Sequence, residues 1–114
     1  MENLPEETLD KIFDLQKQLF YVINDATTTE NYLLEQYGET SETLSELEEL
    51  FNIRERARDA YTRLFRLSLN VAETQPIINR NKLELLYGAI ERAELTVDAL
   101  KISIQETKNN WDLI

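Results

Sequence analysis

The sequence predicts an all-α fold, an antiparallel up-down-up bundle of three long helices, on three observations. Apolar residues recur at three- and four-residue spacing through three stretches of roughly thirty residues each. Only two glycines and two prolines occur in 114 residues, so there is little turn chemistry, while 30% of the residues are charged, as helix surfaces are. Finally, the breaks between stretches fall at Gly38 and Pro76, which leave short connections and make neighbouring helices antiparallel. With 42% apolar residues, the whole of 1–114 is expected to form one domain around one core.

In the first stretch Asn3 is suited to cap a helix whose opening turn holds Pro5 and Glu6. The face then runs through Leu9, Ile12, Leu19, Ile23, Ala26, Leu33 and Tyr37 to a left-handed stop at Gly38. Thr27, Thr28 and Thr29 are its weak point, because their hydroxyls compete for backbone groups; the seam stays in phase on both sides, so the helix is read through them. A second start lies in Glu39 to Thr43, where Thr43 and Glu46 match a capping box, and the helix runs to about Gln75. It carries one stripe of Leu50, Ile53, Ala57, Ala60, Leu64, Leu67 and Val71, and beside it a second of Leu44, Leu47, Phe51, Tyr61, Phe65 and Ala72, as suits a helix touching two neighbours. The third opens at Pro76 and carries Leu83, Leu86, Ile90, Ala93, Val97, Leu100 and Ile104, with Trp111 in phase.

Composition excludes much chemistry. Without histidine or cysteine the commonest bases, nucleophiles and soft metal ligands are missing, so no enzymatic activity, no cofactor and no metal site is expected. Glu42, Glu46 and Glu49 share a helical face, but a single row lacks the converging oxygens that Ca²⁺ or Mg²⁺ needs. No cysteine, no signal-peptide pattern and no long apolar run point to a cytoplasmic protein that neither crosses nor binds membranes. The net charge of −10 falls as −6, −3 and −1 over residues 1–38, 39–75 and 76–114. It opposes direct binding to nucleic acid and favours a basic or neutral protein surface.

Within helix two, Arg54 and Arg58 sit beside apolar residues and need acidic partners. An antiparallel pairing in which residue numbers sum to about 152 offers Glu94 to Arg58 and Asp98 to Arg54, with Glu30 of helix one as a further partner for Arg54; a ligand anion is the alternative. Arg56, Arg63 and Arg66 fall on the polar arc as surface charges. The same sum sets Ala57 and Ala60 opposite Ala93, Ala89 and Gly88, a narrow waist that lets the two helices approach closely or leaves room for a bulky side chain such as Phe20, with a small-molecule pocket as the further alternative.

Two features point to contact with another protein. Helix three has a second apolar arc with Leu85, Leu95, Ala99, Ile102 and Leu113, of which Leu85, Leu95 and Ile102 are the candidate interface residues. On helix one, Tyr21 and Tyr32 lie among carboxylates, an arrangement suited to a basic partner. The function expected is therefore a non-enzymatic protein-interaction module, a small adaptor or an oligomerising bundle, with a homodimer as the natural closed form. An acidic inhibitor or nucleic-acid mimic that occupies a basic cleft is the alternative.

Overall fold

The computed structural model describes residues 4–74 and 80–113, which form three helices and no strand: α1 (Glu6–Tyr37), α2 (Ser41–Ala72) and α3 (Arg80–Asn110). The Asn3 cap, Gln75 and the Pro76 start lie outside the described residues. Each helix packs on both others, giving a rod 57 × 20 × 17 Å, close to the ~48 Å expected of a 32-residue helix with its turns.

The core is aliphatic. Ile12, Leu15, Leu19, Val22, Ala26 and Leu33 of α1 meet Leu50, Ile53, Ala57, Leu64, Leu67 and Val71 of α2 and Leu86, Ile90, Ala93, Val97, Leu100 and Ile104 of α3. These are largely the seams that the heptad spacing predicts. On α1, however, Leu15 and Val22 take places that the spacing gave to Leu9 and Ile23, which are only half-buried, and Tyr37 is exposed. The threonine run does not interrupt α1, because Thr27, Thr28 and Thr29 donate their hydroxyls to the carbonyls of Ile23, Asn24 and Asp25, at 2.9, 2.9 and 2.7 Å. Each hydroxyl is satisfied inside the helix and leaves the main-chain ladder intact.

Gly38 ends α1 at φ 70° and ψ −168°. A side chain would meet nothing within 4 Å there, so the requirement for glycine is torsional and not spatial. The second helix starts within the expected Glu39–Thr43 stretch, at Ser41, but its capping pair is Thr40 and Thr43 and not Thr43 and Glu46. Thr40 is its cap: its hydroxyl accepts from the Thr43 N–H at 3.1 Å, and its own N–H donates to the Thr43 hydroxyl at 2.7 Å. Threonine thus does at the third position what glutamate usually does, and being short it is buried and also donates to the Gly38 carbonyl at 2.8 Å. Glu46 is released from capping and accepts from the Thr107 hydroxyl of α3 at 3.1 Å.

At the far end of α3, Asp112 stands at φ 54° and the Leu113 N–H reaches back to the Lys108 carbonyl at 2.8 Å, a Schellman closure without glycine. The reversal carries Leu113 into the core, so it does not belong to the exposed arc predicted for it. Beside it Tyr37 donates to the Trp111 carbonyl at 2.7 Å, and the two rings meet edge-on with centroids 5.0 Å apart.

Candidate protein-contact surfaces

The three seams between helices share one core but differ in what borders them. Along α1 and α3, which run parallel, the border is polar and repeats by heptads. Lys11 pairs with Glu94 at 3.4 Å, Lys101 donates to Gln18 at 2.9 Å, and Lys108 pairs with Asp25 at 2.8 Å. Each rung joins residues 83 apart and is one heptad from the next, so the set fixes the axial register of two helices that are not consecutive in the chain. Tyr21, one of the expected contact residues, lies in this region, lining a groove with Asp25, Lys101 and Ile104. It is exposed, with Lys17 6.0 Å from its ring centroid. Tyr32 is exposed one heptad beyond Asp25.

Along α1 and α2 the border is aromatic. One position after the core residues Ile12, Leu19 and Leu33 come Phe13, Phe20 and Leu34; one position after Leu50 and Leu64 come Phe51 and Phe65. Successive helical residues are ~100° apart, so these rows point past the edge of the buried face. Which edge is settled by Glu30 and Arg54, which meet at 2.7 Å across the α1–α2 seam. On each helix the row holding that ion pair lies between the core row and the phenylalanine row. Both phenylalanine rows therefore overhang the same seam.

All four phenylalanines of the protein stand there, with Phe13, Phe20, Phe51 and Phe65 at 62, 61, 50 and 49% exposure. This corrects two expectations. The second stripe of α2 is not core: Leu44, Phe51, Phe65 and Ala72 are exposed and only Leu47 and Tyr61 pack partly inward. Nor does Phe20 fill a waist between α2 and α3. The two rows differ in azimuth, one directly after the core row at ~100° round the helix and the row carrying Leu47 and Tyr61 at only ~50°, and it is the nearer one that the neighbouring helices partly cover.

Inside this face Arg54 Nε and Glu30 Oε1 are close but not aligned for a hydrogen bond, and neither atom has another hydrogen-bond partner among the described residues. The contact is one of charge, with the Arg54 guanidinium 5.3 Å from the Phe51 ring centroid. Of the three partners offered to Arg54 and Arg58 by the sequence, Glu30 is the one the fold supplies. Arg58 is 4.0 Å from Glu55 on its own helix, and Glu94 is taken by Lys11.

Between α2 and α3 lies a groove of about 270 Å³ lined by Arg56, Asp59, Ala60, Arg63, Ala89, Arg92, Ala93 and Thr96. The Thr107–Glu46 bond joins α2 and α3 at residue numbers that sum to 153, so the expected pairing sum of about 152 holds, while the side of α2 that borders the groove is not the one that carries Arg58. Gly88 is exposed and lies outside the groove. On the outer surface of α3, Leu85, Leu95 and Ile102 are all more than half exposed, a row ~25 Å long with Gly88 and Ala99 also open to solvent.

Among the described residues no group of carboxylates is arranged to hold a metal ion, and no helix is long and apolar enough to cross a membrane. Comparison of the chain with protein-family models, with curated proteins and with solved structures finds no match. The class that fold and surface define is an all-α three-helix bundle whose distinguishing surface is aromatic.

Proposed function

We propose that this chain is a non-enzymatic protein-interaction module of the cytoplasm that docks a partner on the α1–α2 face. The observation that carries this is the placement of all four phenylalanines outside an otherwise aliphatic core, on one face. Four half-exposed phenylalanines present roughly 400 Å² of apolar area, each side chain being of order 200 Å². Leu34 and Leu44 extend the patch. That is the size at which an apolar patch commonly functions, and about half of the ~800 Å² per partner of a standard interface. Aromatic side chains add contact area at little conformational cost, which is why they recur among the residues that dominate binding. The occupant that suits two parallel ridges of Phe and Leu with half-buried Ile23, Leu47 and Tyr61 between them is the apolar stripe of an amphipathic helix on another protein.

A second reading has an observation of its own: Leu95 and Ile102 on α3 are 69 and 61% exposed, which suits self-association about a two-fold axis. Two double variants separate the two. Phe51→Lys with Phe65→Lys should abolish capture of a partner from native extract while shifting the melting temperature by only a few degrees, and Leu95→Lys with Ile102→Lys should leave capture intact. If the unmodified protein is a dimer by light scattering and only the α3 variant turns it into a monomer, the α3 surface is the functional one. Binding on the aromatic face should change little with ionic strength; a steep fall would favour the acidic-mimic alternative.

A further inference from the structure

We infer that the α2–α3 groove is a binding site for a compact polyvalent oxyanion, a small molecule carrying several phosphate or carboxylate groups. This goes beyond docking on the α1–α2 face and rests on different residues. The protein has 22 acids against 12 bases, yet only some of the bases stand beside a carboxylate, and what sets three of the others apart is that they border one groove. Lys11 and Lys108 have found theirs on the α1–α3 seam, and Arg54 has found Glu30. Arg56, Arg63 and Arg92 make no ion pair among the described residues, and these three line one groove.

Their placement gives the groove a centre. Arg56 and Arg63 are seven residues apart on α2, ~10.5 Å along the axis, and Arg92 on the opposite wall is level with residue 60, between them. The rest of the lining is Ala60, Ala89, Ala93, Thr96 and Asp59, so the residues between the three arginines are mostly small. Asp59 is the one carboxylate in the lining, leaving three positive charges against one negative. Guanidiniums offer forked donors that match phosphate and carboxylate oxygens two at a time. The volume, just below the ~300–1,000 Å³ of ordinary ligand pockets, admits a small anion and not a drug-sized one. Because the whole molecule is at −10 and repels anions at a distance, affinity must come from several contacts at once, which selects for polyvalent ligands.

The test is titration calorimetry of the full chain at low salt with two probes, inorganic pyrophosphate and citrate, and with inorganic monophosphate for comparison. At least one of the two probes should bind with 1:1 stoichiometry and at least tenfold more tightly than monophosphate, and which one binds better decides between phosphate and carboxylate chemistry. Arg63→Gln and Arg92→Gln, on opposite walls, should each weaken binding at least tenfold. Arg66→Gln removes the same charge from α2 outside the groove and should change it less than twofold. Circular dichroism of each variant establishes that the bundle is folded, which exposed arginines make easy to satisfy. The inference is overturned if neither probe binds at millimolar concentration, or if Arg66→Gln weakens binding as much as the groove variants do, since the effect would then be one of overall charge.

Discussion

The α1–α3 and α1–α2 seams enclose the same aliphatic core, yet one is bordered by lysines paired with carboxylates and an amide and the other by unpaired phenylalanines. Neither border is needed to bury the core, because the rows that point inward are complete on all three helices. What the borders decide is what each seam can do next. A polar border is satisfied by water once its rungs are made, whereas an aromatic border exposes area that only another apolar surface can cover. The α1 helix carries both, on opposite flanks of one core row.

The largest expected effect tests the part the two seams share. Val97→Asp places an unpaired charge in the common core, where Val97 is 1% exposed, and should cost several kcal/mol against a total of about 5–15. Thermal melting followed by circular dichroism should lose its cooperative transition. A variant that still melts cooperatively near the original temperature would place the core on another face and remove the basis of the comparison.

An intermediate effect compares the charges within the two borders. Glu30→Ala leaves the Arg54 head beneath the aromatic face without a partner and should cost about 1–3 kcal/mol in urea denaturation, toward the lower end because about a third of the Arg54 side chain meets solvent. Glu94→Ala opens the Lys11 rung of the other seam, where both side chains are about half exposed and water replaces the lost partner, and should cost ~0–1 kcal/mol. Equal losses would mean that the two borders do not differ in solvation.

The smallest effect is a coupling expected to be absent. Charge reversals at Arg58 and Glu94 should add independently, because Arg58 stands over Glu55 and Glu94 faces Lys11. A double-mutant cycle giving more than about 0.5 kcal/mol would restore that pair as a register device.

Much of the fold was legible because a heptad pattern states which residues point inward, and Gly38 states where α1 must turn. The axial register of α2 against α3 was legible too, since a short connection fixes which residues come level. The azimuth of the flanking rows was not. Phe51 and Tyr61 were assigned to one stripe, although one follows the core row directly and the other lies nearer to it; which of them a third helix covers depends on how three helices are disposed around the axis, and helical spacing within a single strand of chain carries no term for that. The same gap sent Arg58 to α3, while Arg56 and Arg63, exposed as expected of surface charges, are the arginines of α2 that border the α2–α3 groove. Within the expected Glu39–Thr43 start the capping pair was not legible, for a local reason: a threonine in the place of the usual glutamate makes the reciprocal bond by being short. Leu113 was assigned to the surface because a left-handed Asp112 is invisible to helical periodicity.

The heptad ladder on the α1–α3 seam also orders events in time. Its rungs join residues 83 apart in the chain, the longest sequence separation of any hydrogen bond or ion pair among the described residues, while α1 and α2 are separated by three residues, so closing the ladder first would carry a large loop-closure entropy. Hairpins of neighbouring helices can form before it, and the parallel pair closes after both are in place. Substitutions at Lys11, Lys101 and Lys108 should then act mainly on how fast the folded bundle opens and little on how fast it assembles, as at a latch.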